Sequence, residues 1–316
     1  MRAKRIIYLM SMFLIAALAS CQRRPLETAD FTVRVNIEID DNIVNYQMPS
    51  LPNLMRCIFY DAENGNFVTQ AFLPPTGGEV ELISDRTYDV LVYNFDTEAT
   101  IIGMENKFDE IFAFTNGIPD AFRTKLRSRA TKDGIEDIVY DPDHLYVGRV
   151  KGVYVPVRSV DSPLIEIDVK CSTVVETWLV DVNKIQGRQY IGSVAAVVTG
   201  LSESNRIATG TRSTEYVSVY FDVIDIDENG ILTAKFNTFG YNPDSNTKQV
   251  LSLVFTDTGG KGHIFDVDVS DQFVDNPEQI IRVVTEIDIP EPEKSEGGGF
   301  QPEVDEWDDI HTDIII

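Results

Sequence analysis

Histidine, cysteine, tryptophan and positive charge are all scarce in this chain. Its 316 residues hold three His, three Cys, two Trp, and 27 Lys+Arg against 51 Asp+Glu, for a net charge of −24. A cationic deficit of that size excludes nucleic acid as a partner, because phosphate binding needs clustered Lys and Arg. The same charge keeps the body of the protein off anionic lipid. His144, His263 and His311 are too scattered to suggest a zinc site or a catalytic triad. There is no Gly-x-Ser-x-Gly elbow, no His-Glu-x-x-His and no phosphate loop. Carboxylate pairs must arise by chance among so many acids, and nothing in the sequence selects one pair. No catalytic, cofactor-binding or metal-ligating residue is therefore assigned, and the chain reads as a non-enzyme. Acidity alone would be compatible with disorder, but 43% of residues are hydrophobic, with 17 Phe and 12 Tyr. Disordered chains are poor in aromatics and β-branched residues, so this one should fold.

The most informative segment is the start. Arg2, Lys4 and Arg5 precede an apolar run from Ile6 to Leu18, followed by Ala19-Ser20-Cys21. A basic region, a short apolar region and small residues at a cut form a secretory leader. The run is shorter than the roughly 20 residues that span a bilayer. A cysteine directly after the cut looks like a bacterial lipobox, which marks Cys21 for acylation. Each buried CH₂ contributes about 0.8 kcal/mol, and stable anchoring takes about two chains. Acylated Cys21 would therefore hold the protein in a membrane. Loss of residues 1–20 removes three cations and no acid, leaving 24 Lys+Arg against 51 Asp+Glu.

Residues 21–30 read as a polar tether. Strict alternation then begins: Phe31, Val33, Val35, Ile37 and Ile39 face one way, and Thr32, Arg34, Asn36, Glu38 and Asp40 the other. A period of two is a half-buried strand. Met55, Cys57 and Phe59 share a strand face, and Asn64-Gly65 marks a tight turn into a return strand, Phe67 to Leu73. The nearly continuous apolar run from Tyr88 to Phe95 predicts a strand covered on both faces. Phe108, Ile111, Phe112, Phe122 and Leu126 fall near helical spacing, predicting one or two short helices within residues 104–130. Arg123, Lys125, Arg127 and Arg129 are either a solvated face or a protease-sensitive loop. The second half reads as about seven short strands with turns near every ten residues, suggesting a sandwich or barrel. Ser159 to Pro163 is the expected boundary, giving an N-terminal β-sandwich over 31–158 and a C-terminal one over 159–290. A Gly-rich linker and acidic tail follow over 291–316. The tail ends Asp313-Ile314-Ile315-Ile316, and either docks as an edge strand at home or pairs with another chain.

Two smaller features need weighing. Asp225-Ile226-Asp227-Glu228-Asn229-Gly230 matches the first half of a calcium loop, but Phe236 stands where the closing Glu should be. An acidic hairpin turn is the better reading. Cys57 and Cys171 both sit in apolar strand-like runs, far apart and in what the boundary makes different domains. They read as two buried thiols, with pairing the alternative.

Together these features resemble a Bacteroidetes lipoprotein family related to the fimbrillin superfamily, in its fimbrial anchor branch. The residues that carry the resemblance are the lipobox, Arg56 to Gly65, Pro142-Asp143-His144-Leu145, Phe236 to Gly240, and Gly297-Gly298-Gly299-Phe300. The resemblance implies a mainly β fold of two transthyretin-like antiparallel β-sandwich domains in tandem. It implies a lipid-anchored outer-membrane structural protein, an anchor or accessory subunit of fimbriae. Its partner would be a fimbrillin-type protein bound by β-strand pairing. Surface-exposed lipoproteins of that phylum usually carry acids after the lipidated cysteine. Here Gln22-Arg23-Arg24 stand instead, which argues against constitutive surface display but not against outer-membrane anchoring. The alternative function is a surface glycan-binding lipoprotein of a nutrient-uptake system. That would need exposed aromatics, and Trp178 and Trp307 are the only indoles.

Overall fold

The computed structural model describes residues 30–45, 51–119, 137–157, 163–223, 225–243, 247–292 and 313–314. The chain runs through β1 (Asp30–Ile39), β2 (Met55–Asp61), β3 (Phe67–Leu73), β4 (Gly77–Ile83) and β5 (Arg86–Asn94). It continues through β6 (Thr100–Gly103), β7 (Phe112–Thr115), β8 (Asp137–Tyr140), β9 (Tyr146–Val155) and β10 (Ile165–Thr173). The second half holds β11 (Glu176–Gln186), β12 (Ile191–Ser202), β13 (Ser204–Arg206), β14 (Thr211–Arg212), β15 (Tyr216–Asp222) and β16 (Asp225–Ile226). It ends with β17 (Leu232–Thr238), β18 (Val250–Asp257), β19 (Gly262–Asp268), β20 (Ile280–Asp288) and β21 (Asp313–Ile314).

The first sheet runs β3-β2-β5-β9-β10-β1-β4. Only Pro74 to Thr76 separate β3 from β4, yet the two strands lie at opposite ends of that order. A link of three residues reaches little more than about 10 Å, so the sheet must roll until its ends approach. The alternation in β1 is realised: Phe31, Val33, Val35 and Ile37 are buried, while Arg34 and Glu38 are exposed. They close a core with Met55, Cys57, Phe59, Tyr88, Val90 and Val92. The apolar run of β5 is covered on both faces, as expected. Leu91 and Tyr93 face a second cluster with Ile58, Tyr60, Phe108, Ile111, Ile207 and Phe239. A small sheet, β14-β13-β7-β6, covers that side.

The second half builds two sheets, β16-β17-β11-β20 and β21-β19-β18-β12-β15-β8. They close over Val180, Val182, Leu201, Phe221, Phe236, Leu253, Phe255 and Ile281. Phe221 stacks on Phe236 at 4.8 Å between centroids. The architecture is mainly β and sandwich-type. Most pairs are antiparallel, but β1–β10, β11–β20, β15–β8 and β19–β21 are parallel.

Three expectations are modified. Residues 104–119 form no α-helix. They hold a 3-10 turn at Phe108–Glu110 followed by β7. Phe108 and Ile111 are buried by the face of β2 and β5 rather than by a helical stripe, so their spacing mimicked a helix. Phe122, Leu126 and the basic cluster lie outside the described residues. The sheets also interleave across the Ser159 boundary. Strand β10 belongs to the first sheet, and β8 joins the second half by pairing with β15. Cys57 and Cys171, expected in different domains, share one core as free buried thiols. Among the described residues no helix is long and apolar enough to cross a membrane.

Candidate functional site

The expected strand-pairing surface depends on which sheet edges are open. Among the described residues, β3 and β4 end the first sheet, and β16, β20, β21 and β8 end the sheets of the second half. The carboxy-terminal strand β21 lies parallel to β19, with Asp313 opposite Asp266 and Ile314 opposite Val267. The tail thus docks on its own domain, by two residue pairs. Strand β20 pairs with β11 on one side only, and Val284 near its middle is 63% exposed.

The β3 edge carries an aromatic patch. Phe72 on β3 and Phe95 just after β5 are each nearly half exposed, with ring centroids 5.3 Å apart. Arg56 of β2 lies beneath them, its guanidinium 5.1 Å from the Phe95 ring centre and 5.8 Å from that of Phe72. Such stacking is worth about 0.5–2 kcal/mol per pair. Arg56 is held in place by Glu105, which also accepts a hydrogen bond from the Tyr93 hydroxyl. Leu54 and Met104 are exposed nearby in sequence. Solvent-facing apolar groups beside an open edge suit a protein partner. Sequence reading missed this patch. The signal available was Phe72, which shares the exposed phase of β3 with Gln70, opposite Ala71 and Leu73, where the alternation should have reserved a hydrophilic residue.

The loop from Tyr140 to His144 is structural. Asp143 accepts hydrogen bonds from the backbone N–H of Glu98, Ala99 and Thr100 at 2.8, 2.5 and 3.1 Å. His144 Nε2 lies 3.0 Å from the Thr177 hydroxyl, and Nδ1 3.4 Å from that of Thr173. Burial lowers the His144 pKa to about 4, against the raising influence of Asp143. Burial raises that of Asp141 to about 6. His144 thereby ties β10 and β11 together beneath Asn237, whose side chain donates to the Pro142 carbonyl at 2.9 Å. The Pro-Asp-His-Leu and Phe-Asn-Thr-Phe-Gly segments are therefore neighbours in space.

The calcium-like segment is a hairpin turn between β16 and β17. Asp227 Oδ1 accepts from the N–H groups of Asn229 and Ile231, both at 2.8 Å. These bonds hold its carboxyl below the ordinary carboxylate range. Gly230 has φ +74°, and a Cβ there would lie 2.3 Å from the Ile185 carbonyl oxygen. Among the described residues no cluster of three metal-ligating side chains is present.

The sequence-assigned lipidation site, Cys21, lies outside the described residues, as do Arg127, Arg129 and Trp307. Trp178 is 2% exposed and packs on Phe273 at 4.3 Å. Burial raises the Cys171 thiol pKa to about 12 and pushes that of Cys57 higher still.

The chain shows kinship to known proteins over most of its length. It is 28% identical over 243 residues to a proposed fimbrium anchoring subunit, Fim4B, of Bacteroides ovatus. That match covers 76% of this chain and 66% of the relative, just under two thirds of the relative's own length. Among solved structures, a proposed adhesin from Bacteroides ovatus shares the fold with TM-score 0.63 at 23% identity. It covers 86% of this chain and 98% of the other. The fimbrial anchor protein Mfa2 from Porphyromonas gingivalis superposes with TM-score 0.52 at 14% identity, over 81% and 91% of the two chains. Residues 20–222 match the family described as "Domain of unknown function (DUF5119)", and the chain belongs to that family.

Proposed function

We propose that this protein is an anchor or accessory subunit of fimbriae, held in the outer membrane by acylated Cys21 and bound to a fimbrillin-type protein through β-strand pairing. The carrying observation is the kinship to the Fim4B anchoring subunit across 76% of the chain. That kinship supports an envelope or cell-surface location, and attachment to the outer membrane is our reading of the Leu-Ala-Ser-Cys21 motif. We read the two halves as a tandem of transthyretin-like sandwiches in which strands β8 and β10 are exchanged. On this reading the protein performs no chemistry. Its work is adhesive: main-chain hydrogen bonds along an open edge give affinity, and side chains beside the edge set register. The β3 edge, with Phe72 and Phe95 above Arg56, suits that role. Trp178 is packed in the core and is not available to stack on a sugar ring, which weighs against the glycan-binding alternative.

The test is deletion of the gene in its native host, with filaments counted on cells and in the medium. Release of fimbriae into the medium, reversed by the intact gene, is the expected result. Unchanged attachment would sink the proposal. A photo-crosslinker at Phe72 should capture a fimbrillin-type subunit in a high-mass ladder. Capture of a transporter with glycan-binding lipoproteins would favour the alternative.

A further inference from the structure

Strand β1 starts at Asp30, so whatever holds Cys21 also holds this end of the first sheet. The nine residues after Cys21 reach at most about 30 Å. The strand registers show what else lies at the starting end. Asp30 is opposite Ile83, the last residue of β4, and Arg86, at the head of β5, is opposite Val155, the last residue of β9. Val33 is opposite Ile165, so β10 begins here too. The other end of the sheet, at Ile39 and Cys171, is the one that continues into β11 and the second half. Ten residues of β1 separate the two ends, about 33 Å of strand.

Three apolar side chains at the starting end face solvent. Tyr154 is 54% exposed, Val157 63% and Leu164 45%, while Val155 between the first two is buried. Val157 stands two residues past the last pair of β9 with β5, and so beyond the sheet. Leu164 stands one residue before the Val33–Ile165 pair, beside the first turns of β1. The Tyr154 hydroxyl donates to Asp85 at 3.0 Å, which leaves a ring with a polar tip and bare sides. Such a ring suits the boundary between headgroups and acyl chains. The acids of this sector have cations beside them. Asp85 adjoins Arg86 in sequence, and Arg34 lies between Glu79 and Glu166 in register. Asp61 and Glu63, on the β2–β3 turn, lie on the far side of β5.

We propose that Tyr154, Val157 and Leu164 rest in the headgroup boundary of the bilayer, so that the chain stands on the starting end of its first sheet. This rests on the lipid anchor at Cys21 proposed above. A bilayer is the occupant because the tether of Cys21 ends at this rim and its reach brings these side chains to the lipid. Three partly exposed side chains do not hold the body in place; the anchor does, and the rim sets the orientation. The second half is then turned outward. So is the Phe72–Phe95 patch, because Leu73 and Asn94 both lie opposite Met55 at the other end of the sheet.

The experiment couples the chain from Cys21 onward to a maleimide phospholipid in neutral phosphatidylcholine vesicles. Cys57 and Cys171 are buried, so coupling falls on Cys21. The photo-crosslinker p-benzoylphenylalanine is placed singly at Val157, at Leu164 and at Val284, which is 63% exposed in the second half. Apolar groups at a membrane surface enter about 5–10 Å, so positions 157 and 164 should give at least about threefold more lipid adduct than 284. V157D/L164D should lower the adduct from a crosslinker at Tyr154 to the level seen at 284. Equal lipid yields at the three positions overturn the proposal. So do adducts between two copies of the chain in place of lipid, or an unchanged yield in V157D/L164D. The coupled lipid replaces the natural one, so these outcomes judge the orientation alone. Failure of the anchor itself would show instead as C21S staying with membranes in cells.

Discussion

Burial acts on His144 and Asp141 in opposite senses, although both stand in one loop. His144 titrates near 4 in the folded protein, against an ordinary value of 6.5. Between those values the unfolded chain takes up a proton that the folded one refuses. The His144 contribution is therefore present above 6.5 and lost as pH falls toward 4. Asp141 titrates near 6 instead of 3.8, so the folded chain holds the proton first. Its contribution is present below 3.8 and lost as pH rises through 6. The two nearly offset each other in the wild type. Separating them should reveal both. Urea denaturation at pH 7 and 4.5 should show D141N losing about 1–3 kcal/mol more on acidification than wild type does. H144Q should shift by a similar amount in the other direction. Parallel pH profiles for both variants would contradict this account. The sequence could not announce the pair: it shows Asp141 three residues before His144, but not that both are buried.

Among elements, two contacts of chain ends and connections govern how the sheets are held. The β1–β2 connection straps across to the second half through Asn45. Its Nδ2 donates to the carbonyls of Glu278 at 2.7 Å and Gln279 at 3.0 Å, with Thr177 at 3.4 Å. Asn45 has φ +61°, which Asn tolerates better than other side chains. N45A should cost about 1–3 kcal/mol in urea denaturation, from lost hydrogen bonds and the left-handed backbone together. The second contact is β21 on β19. Two residue pairs are a weak hold for a strand, because so few ladder bonds offset little of the entropy of ordering the chain. A chain truncated after Pro292 should show faster amide exchange around Asp266 and Val267. It should also gain self-association in sedimentation, because an uncovered edge recruits another strand. A truncated chain with unchanged exchange and sedimentation would show that the tail leaves that edge alone. The alternation in β1 and the doubly covered β5 were legible in the sequence, because burial on one face or two leaves a pattern of period two or a solid apolar run. The Phe108 segment was not legible, because a turn whose apolar residues meet the same sheet face imitates helical spacing.

At the scale of the whole molecule, the proposed lipid anchor and the charge of the body would divide the work. With residues 1–20 gone, 51 acids face 24 cations, and the body should be repelled by anionic membrane surfaces. Attachment should then rest on the acyl chains of Cys21 alone. In fractionated cells, the wild type should stay with membranes through a 1 M salt wash and leave only with detergent. C21S should move to the soluble fraction or remain an uncut precursor. Salt release of the wild type would mean that electrostatics and not lipid holds it. The same scale shows why the Ser159 boundary does not trace the sheets. A composition shift marks where a chain is polar, whereas sheet membership is set by hydrogen bonding between distant strands.

What the sequence determined by itself is what local order carries: the strand periods and the Asn229-Gly230 turn, beside the leader and Cys21 on which the proposed anchoring rests. The family resemblance was also legible, since short segments such as Pro142 to Leu145 are read directly along the chain. Tertiary structure alone decided the pairings that join distant residues. It brought Cys57 and Cys171 into one core, set β8 beside β15, and placed Phe72 over Arg56. It also brought the end of β9 and the start of β10 to the rim where β1 begins. The physical reason is that local patterns fix which face of a strand is buried, whereas only packing fixes what buries it.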